Sequence, residues 1–385
     1  MLIADIKSKL SRYEQSSLLR ERLVVEKKKS RNRVIVNGLS CISFCSNDYL
    51  GLTDHPAIKE AFIQGIRAYG VGSGSSALVS GYFKPQKRLE EKFSEFLLRD
   101  QSIFFNSGYA ANLGVITSLN SRKNTVLSDK FCHISLLEAV RLSRARHYRF
   151  KHNNLEHFKY LLCLRKPNMV ITEGIFSMEG DSSPLSDINH CISGKDIALV
   201  VDDAHGIGIL GKNGGGSCEK WGLTQLEVPC LILPLGKAFG CTGAVVSGKE
   251  DFMKAILQFA NSYRTTTALP PAVCVAILKS IDIIRTESWR RKRLAELIHF
   301  FTEETKNTGL SLISYDETPI RCFLVANNKK IRWIQERMLK KGFFISCIRP
   351  PSVPDGKARI RISLNCFHTE KQIIQLLDHL SYFLC

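Results

Sequence analysis

The sequence predicts an α/β protein with a large, mainly parallel sheet domain (residues 46–284), preceded by an N-terminal arm (1–45) and followed by a small α+β C-terminal domain (285–385). Three observations carry this. Short apolar runs alternate with helix-period segments between Ser102 and Ser247, the pattern of βα units around a buried parallel sheet. Several of those runs end in polar clusters, as strands do where an open α/β sheet meets its ligands. Beyond Thr265-Thr-Thr-Ala-Leu-Pro-Pro271, which reads as a linker, the alternation gives way to long helices and a few short strands.

At 385 residues and 44% hydrophobic, the chain can bury a sizeable core. Met1 to Tyr13 carries charges throughout, and no stretch approaches 18 uninterrupted apolar residues, so neither a signal peptide nor a membrane span is expected. Thirteen cysteines, an odd count, are scattered without a C-x-x-C pair or zinc spacing. Reduced thiols, no metal and a cytoplasmic location follow. The balance of 54 Lys+Arg against 36 Asp+Glu gives a net charge of +18, clustered in Arg20 to Arg33, Arg141 to Lys151 and Arg290 to Arg293. No nucleic-acid motif accompanies these clusters. They read as a generic basic surface or as attraction to an anionic substrate, such as a phosphate-bearing coenzyme or an acidic carrier protein.

Taken in order, residues Met1 to about Val25 show helical spacing at Leu2, Ile6, Leu10, Leu18, Leu19 and Leu23. Asn37-Gly38 between two apolar runs predicts a hairpin. Pro56 opens a helix to about Tyr69, and Leu89 to Leu98 is an amphipathic helix carrying Glu90, Glu91 and Glu95. Gly70 to Ser76 has no strand before it and reads as a substrate-lining loop. Strands are expected at Ile103–Phe105, Thr125–Asp129, Met169–Glu173, Ile197–Val201, Leu231–Leu235 and Ala244–Ser247. Gly206 to Gly211 matches G-x-G-x-x-G, but polar residues separate it from the strand and a loop follows where a dinucleotide fingerprint needs a helix. The C-terminal region predicts helices at Pro271–Arg285 and Trp289–Thr305, strands at Ile320–Ala326, Phe343–Ile348 and Arg359–Leu364, and a last helix to Phe383.

The strand mouths carry the chemistry. Asn106-Ser-Gly-Tyr109 turns a strand into a helix and presents backbone N–H groups to an anion, with the helix dipole adding attraction. Asp202 and His205 follow the strand at Val201, and Lys237 follows Leu235-Gly236. A lysine at a buried mouth is costly to desolvate as a cation, so its pKa should fall from about 10.4 and free a neutral nucleophile; a solvated loop lysine is the competing reading. Chemistry that needs all four features is pyridoxal 5'-phosphate catalysis: phosphate on a helix N-terminus, a carboxylate at the pyridine nitrogen, a lysine holding the aldehyde. The order of strand, Asp-x-x-His and lysine fits a fold-type I pyridoxal-phosphate-dependent transferase.

At these residues the sequence resembles the α-oxoamine synthase family. Matching stretches are Phe44-Cys-Ser-Asn-Asp-Tyr-Leu-Gly51, Gly70-Val-Gly-Ser-Gly74, Val79-Ser-Gly-Tyr82, Ser107-Gly-Tyr-Ala-Ala-Asn112, Thr172-Glu-Gly-Ile-Phe-Ser-Met-Glu-Gly-Asp181, Val201-Asp-Asp-Ala-His-Gly206 and Arg349-Pro-Pro-Ser-Val-Pro354. The resemblance runs from about Leu19 to the C-terminus. It implies that Gly108 and Tyr109 hold the phosphate, His133 stacks on the ring, Ser177 and His205 meet the phenolic oxygen, Asp202 meets the ring nitrogen and Lys237 is the catalytic lysine. Arg361 with Asn47 would hold an amino-acid carboxylate, and Arg20 and Ser352 would line the acyl-thioester side.

The resemblance leans toward the member that condenses L-alanine with pimeloyl-CoA or pimeloyl-acyl carrier protein in biotin biosynthesis. Siblings taking glycine or serine share the core residues, and a non-catalytic subunit would be expected to lose Lys237. A homodimer is implied, with Thr265, Thr266 and Thr267 reaching the neighbouring subunit's phosphate; nucleic acid and membrane are not expected partners. Two residues depart from the family. Pro234 stands where a Ser or Thr usually offers a hydroxyl three residues before the lysine, and Gln86 stands where a histidine is common. Loss of one charge-assisted hydrogen bond costs roughly 1.5–3 kcal/mol, which predicts weaker cofactor binding.

Overall fold

The structure, a computed structural model, describes residues 2–384, apart from the side chains of residues 27–29. Met1, the first residue of the predicted N-terminal helix, lies outside the described residues, as do those three side chains within the basic run from Arg20 to Arg33. The chain divides into two compact units. One comprises Leu52–Ser177 and Ser182–Arg291, the other Met1–Gly51, Met178–Asp181 and Lys292–Cys385.

The larger unit is built on a seven-stranded sheet. Its strands are β1 (Gln101–Phe105), β2 (Thr125–Asp129), β3 (Arg146–Phe150), β4 (Met169–Glu173), β5 (Ala198–Asp202), β6 (Cys230–Pro234) and β7 (Ala244–Gly248). They lie in the order β1-β7-β6-β5-β4-β2-β3. β7 runs antiparallel to both its neighbours, β1 and β6, and the other neighbouring pairs are parallel. Val126, Ile171, Val200 and Ile232 are fully buried and pack in one cluster with Ala111, Val115 and Ile116 of helix Gly108–Leu119. Residues buried on both faces are what a parallel sheet covered by helices requires.

β3 has no counterpart among the predicted strands. Its sequence, Arg-His-Tyr-Arg-Phe, reads as a basic surface because the strand sits at the sheet's edge with only Phe150 buried. Charge on an edge strand blocks pairing with other chains. The predicted helix at Leu89 begins earlier, at Lys84, because Pro85 suits a first turn, and it stops where Leu98 turns left-handed (φ 54°). The loop at Gly70 to Ser76 is tied to the threonine segment: Ala268 N–H donates to Ser75 O (3.0 Å) and Ser73 Oγ to Ala268 O (2.6 Å).

In the smaller unit the predicted hairpin joins Arg33–Val36 to Leu39–Ser43, with Asn37 (φ 47°) and Gly38 (φ 76°) both left-handed. Two-residue turns of this kind match the twist of paired strands. The helical segment expected from Met1 to Val25 is shorter, Leu2–Gln15. Ser17 leaves the helical region (φ 55°), and Val25–Ser30 pairs as a strand with Arg33–Val36. The helix buries none of its own residues, so nothing packs its pattern onward past Gln15. The expected strand Phe343–Ile348 is two. Phe343–Phe344 pairs parallel with Leu39–Ser43, while Ser346–Ile348 joins Ile320–Leu324 and Arg359–Ser363 in a separate three-stranded sheet. Residues 1–51 thus share a unit with the C-terminal segment. No helix among the described residues is long and apolar enough to cross a membrane.

Candidate active site

In the larger unit the turns after β1, β2, β4, β5 and β6 carry the residues singled out from the sequence. Ser107, fully extended, caps helix Gly108–Leu119, and its Oγ accepts from Ala110 N–H (3.1 Å). The N–H groups of Gly108 and Tyr109 lie in the first turn, where a helix has no internal acceptor for them. A Cβ on Gly108 would stand 2.6 Å from Pro234 Cγ. Glycine is therefore what lets the end of β6 close against this helix. The Tyr109 hydroxyl donates to the Glu138 carboxylate.

Asp202 ends β5 and is buried, accepting from Ala204 N–H (3.1 Å) and Asn112 Nδ2 (2.7 Å). Asn112 also donates to Ser135 Oγ (2.8 Å), which lies 2.7 Å from His133 Nδ1. One chain of polar contacts thus runs from Asp202 to His133. Asn112 and Ser135 carried no assigned role from the sequence. The signal for Asn112 was its single amide in an otherwise small and apolar first turn and a half of helix. His133 caps helix Ile134–Ser143, its Nδ1 accepting from Ser135 N–H, so one ring serves the helix and faces the mouth. Partial desolvation holds the His133 pKa below its ordinary value, with Lys237 pushing the same way and Asp202 opposing.

His205 is buried in the turn after β5. Lys237, half-buried, begins the short loop to β7, in which Gly240 N–H donates to Lys237 O (2.9 Å) and Leu235 N–H to Gly243 O (2.9 Å). Asp203, the neighbour of Asp202, takes no part in the mouth. Successive strand residues point to opposite faces, and Asp203 accepts from Ser217 N–H and Oγ, both at 2.6 Å. A Cβ on Gly174, Gly206 or Gly216 would come within 2.0, 2.1 or 2.0 Å of its oxygens. Burial inside this glycine collar pushes the Asp203 pKa up to about 7.

Ser177, half-buried, follows the fully buried Phe176. Asn106 Nδ2 donates to Thr267 O (2.6 Å), and in this chain Thr266 is half-buried and Thr267 exposed. Gln86 is buried, with Nε2 3.5 Å from Glu90 Oε1. Glu90 also accepts from Tyr82 OH (2.6 Å) and Phe104 N–H (2.9 Å), so it lies inward rather than on the charged helix face, and burial raises its pKa to about 7. Nothing in the structure explains glutamine in place of histidine at position 86.

The smaller unit holds two further pairs. Arg361, buried on strand Arg359–Ser363, donates from Nη2 to Asn47 Oδ1 (3.1 Å), and its Nε has no hydrogen-bond partner. A buried guanidinium with an unused donor is suited to a carboxylate. Arg20 Nη2 donates to Ser352 Oγ (2.9 Å). Beside Ser352 lies a cavity of about 380 Å³ lined by Tyr13, Leu18, Pro350, Pro351, Val353 and Pro354.

The larger unit fits pyridoxal phosphate by its donor set. It offers a capped helix N-terminus closed by a glycine, a buried carboxylate held by an amide, two imidazoles and a lysine. Pro234 is the one misfit, adding carbon where a hydroxyl would donate.

A family model for aminotransferase class I and II matches residues 40–380. The chain is 41% identical over 373 residues to an 8-amino-7-oxononanoate synthase of Nitrosococcus oceani, covering 96% of this chain and 98% of that one. It is 42% identical over 355 residues to that of Saccharophagus degradans, covering 91% and 89%. Among solved structures, a lysine-to-alanine variant of serine palmitoyltransferase from S. paucimobilis with a bound pyridoxal phosphate–myriocin aldimine superposes with a TM-score of 0.94 at 25% identity, covering 100% of this chain and 98% of that one. An 8-amino-7-oxononanoate synthase from Francisella tularensis superposes with a TM-score of 0.81 at 32% identity, covering 89% and 97%. With this sheet order, this donor set and these likenesses over nearly its whole length, the chain belongs to the class I and II aminotransferase family of fold-type I pyridoxal-phosphate enzymes, and within it to the 8-amino-7-oxononanoate synthases.

Proposed function

We propose that this chain condenses L-alanine with a pimeloyl thioester, of coenzyme A or of acyl carrier protein, to give 8-amino-7-oxononanoate, carbon dioxide and free thiol in biotin biosynthesis. The observation that carries the reading is the juxtaposition of Lys237 at the mouth of β6 with the buried, amide-held Asp202 on the neighbouring strand. Pyridoxal phosphate, when bound, supplies the electron sink. Gly108 and Tyr109 N–H groups would hold its phosphate, Asp202 would keep a proton on the pyridine nitrogen, and His133 would stack on the ring. Ser177 and His205 would serve the phenolic oxygen.

Lys237 Nζ would hold the aldehyde of that group and, as a free amine, would be the base placed to take the α-proton of alanine. In the smaller unit, Arg361 and Asn47 take the amino-acid carboxylate, and Arg20 and Ser352 serve the acyl thioester. The exposed Thr267 and half-buried Thr266 support a homodimer in which each chain lends these hydroxyls to its partner's phosphate. The cytoplasm is the proposed location.

The test is an absorption titration of purified protein with pyridoxal phosphate, then with alanine, glycine or serine, then with pimeloyl thioester, run beside Lys237→Ala. Alanine should shift the visible band of the bound cofactor, pimeloyl thioester should then release carbon dioxide, and Lys237→Ala should lose turnover. A larger response to glycine or serine would move the assignment to a sibling reaction. No cofactor band at saturation would sink the reading. Sedimentation should give twice the chain's 43.3 kDa.

A further inference from the structure

Glu173 is a buried carboxyl that none of these roles uses. It ends β4, is 2% exposed, and its Oε1 has no hydrogen-bond partner. Its Cα is paired in register with that of Asp202 at the end of the adjacent parallel strand β5. Neighbouring strands lie about 4.8 Å apart, and residues paired this way point to one face. Ile171 and Val200, two positions back on each strand, identify that face. Both pack in the cluster that holds Ala111 and Val115, on the helix whose Asn112 donates to Asp202. Glu173 and Asp202 therefore share one buried mouth.

They do not share its donors. Asp202 accepts from Asn112 and from Ala204 N–H, whereas Glu173 keeps an orphan oxygen. Two adjacent buried carboxyls do not both ionise, and the proton settles on the one with fewer donors. We propose that Glu173 is a positioning residue held as a neutral carboxylic acid, which leaves Asp202 as the negative charge at the mouth and fixes, through the backbone N–H of His133, the turn that presents the His133 ring. This rests on the pyridoxal-phosphate reading of the same site.

The groups facing Glu173 come from four elements. Burial, then the charge of Asp202, pushes its pKa well above the carboxylate range, and Asp129 adds to the rise. Lys237 and the backbone N–H of His133 oppose it. Cys132 feels the same carboxyl, and burial keeps that thiol well above its ordinary pKa.

The test begins without cofactor. Infrared difference spectra of the apoprotein against Glu173→Gln should show, near neutral pH, a protonated-carboxyl C=O band that the variant lacks. Loss of the His133 acceptor in Glu173→Ala should weaken pyridoxal phosphate binding about tenfold, and Glu173→Gln should recover most of that affinity. Raising the pH should remove the wild-type band as Glu173 ionises, and Glu173→Gln should show no such transition. If Glu173→Ala does not fold, the infrared band and its loss with rising pH still decide. A wild type without the protonated-carboxyl band, or a glutamine variant that keeps it, would overturn the proposal. Failure of wild type to bind the cofactor at all would instead overturn the reading it rests on, leaving the infrared result standing.

Discussion

Asp202 and Asp203 are adjacent and identical in type, yet one faces the mouth and the other is sealed in a glycine collar. Asp202 was legible because Asp-x-x-His after a strand, one βα unit before a lysine, is an arrangement with a chemical reason. Asp203 was not, because its partners Ser217, Gly174 and Gly216 come from elsewhere in the chain and no local spacing announces them. Its folded pKa, about 7, stands above the ordinary 3.8. The folded state therefore binds the proton more tightly, and this contribution to stability is complete below about pH 4 and lost as pH rises through 7. Urea midpoints of Asp203→Asn, which has no such proton, should lack that decline between acid and neutral pH. His368, buried and with its pKa lowered to about 4 from 6.5, acts in the opposite direction, withdrawing stability as pH falls through that window. At position 234, Pro234→Thr should restore a donor and tighten pyridoxal phosphate binding, by about tenfold or more if the hydroxyl reaches the phosphate. A cofactor titration of the variant reads this directly, and unchanged affinity would mean that the proline costs nothing.

Elements whose stability is local were the ones the sequence announced. The Asn37-Gly38 hairpin needs only its own turn chemistry, and helix Pro56–Tyr69 carries its own start and stop in Pro56 and Gly70. Elements defined by distant partners were misread. Ser346–Ile348 and Phe343–Phe344 look continuous, but one pairs with Arg359–Ser363 and the other with Leu39–Ser43. β3 was passed over inside the basic cluster Arg141 to Lys151, because its partner strand covers one edge alone. Helix Leu2–Gln15 ran too long in prediction because an apolar spacing says nothing about whether anything packs against it. The hairpin offers the clean test. Gly38→Ala must hold φ at 76° with a Cβ, which should cost about 1 kcal/mol in urea denaturation without touching the cofactor titration.

Charge and strand order are properties of the whole chain. A net +18 predicts that an anionic thioester is drawn in from a distance. The KM for the pimeloyl thioester should therefore rise with salt, as the screening length shrinks to about 10 Å at 0.1 M, while kcat changes little. A salt-insensitive KM would reduce the charge to a generic basic surface. The sheet order has a different reach. Among the described strands β1 pairs only with β7, Phe105 facing Ala244. As the chain leaves the ribosome, the strand that launches the phosphate-binding turn must wait for a partner made roughly 140 residues later, an unusually long-range contact. At about 5–20 residues per second that wait lasts on the order of ten seconds. Throughout it Ile103-Phe-Phe105, buried in the finished protein, is an apolar strand without its sheet partner, and so the stretch of the nascent chain most open to pairing with a neighbour.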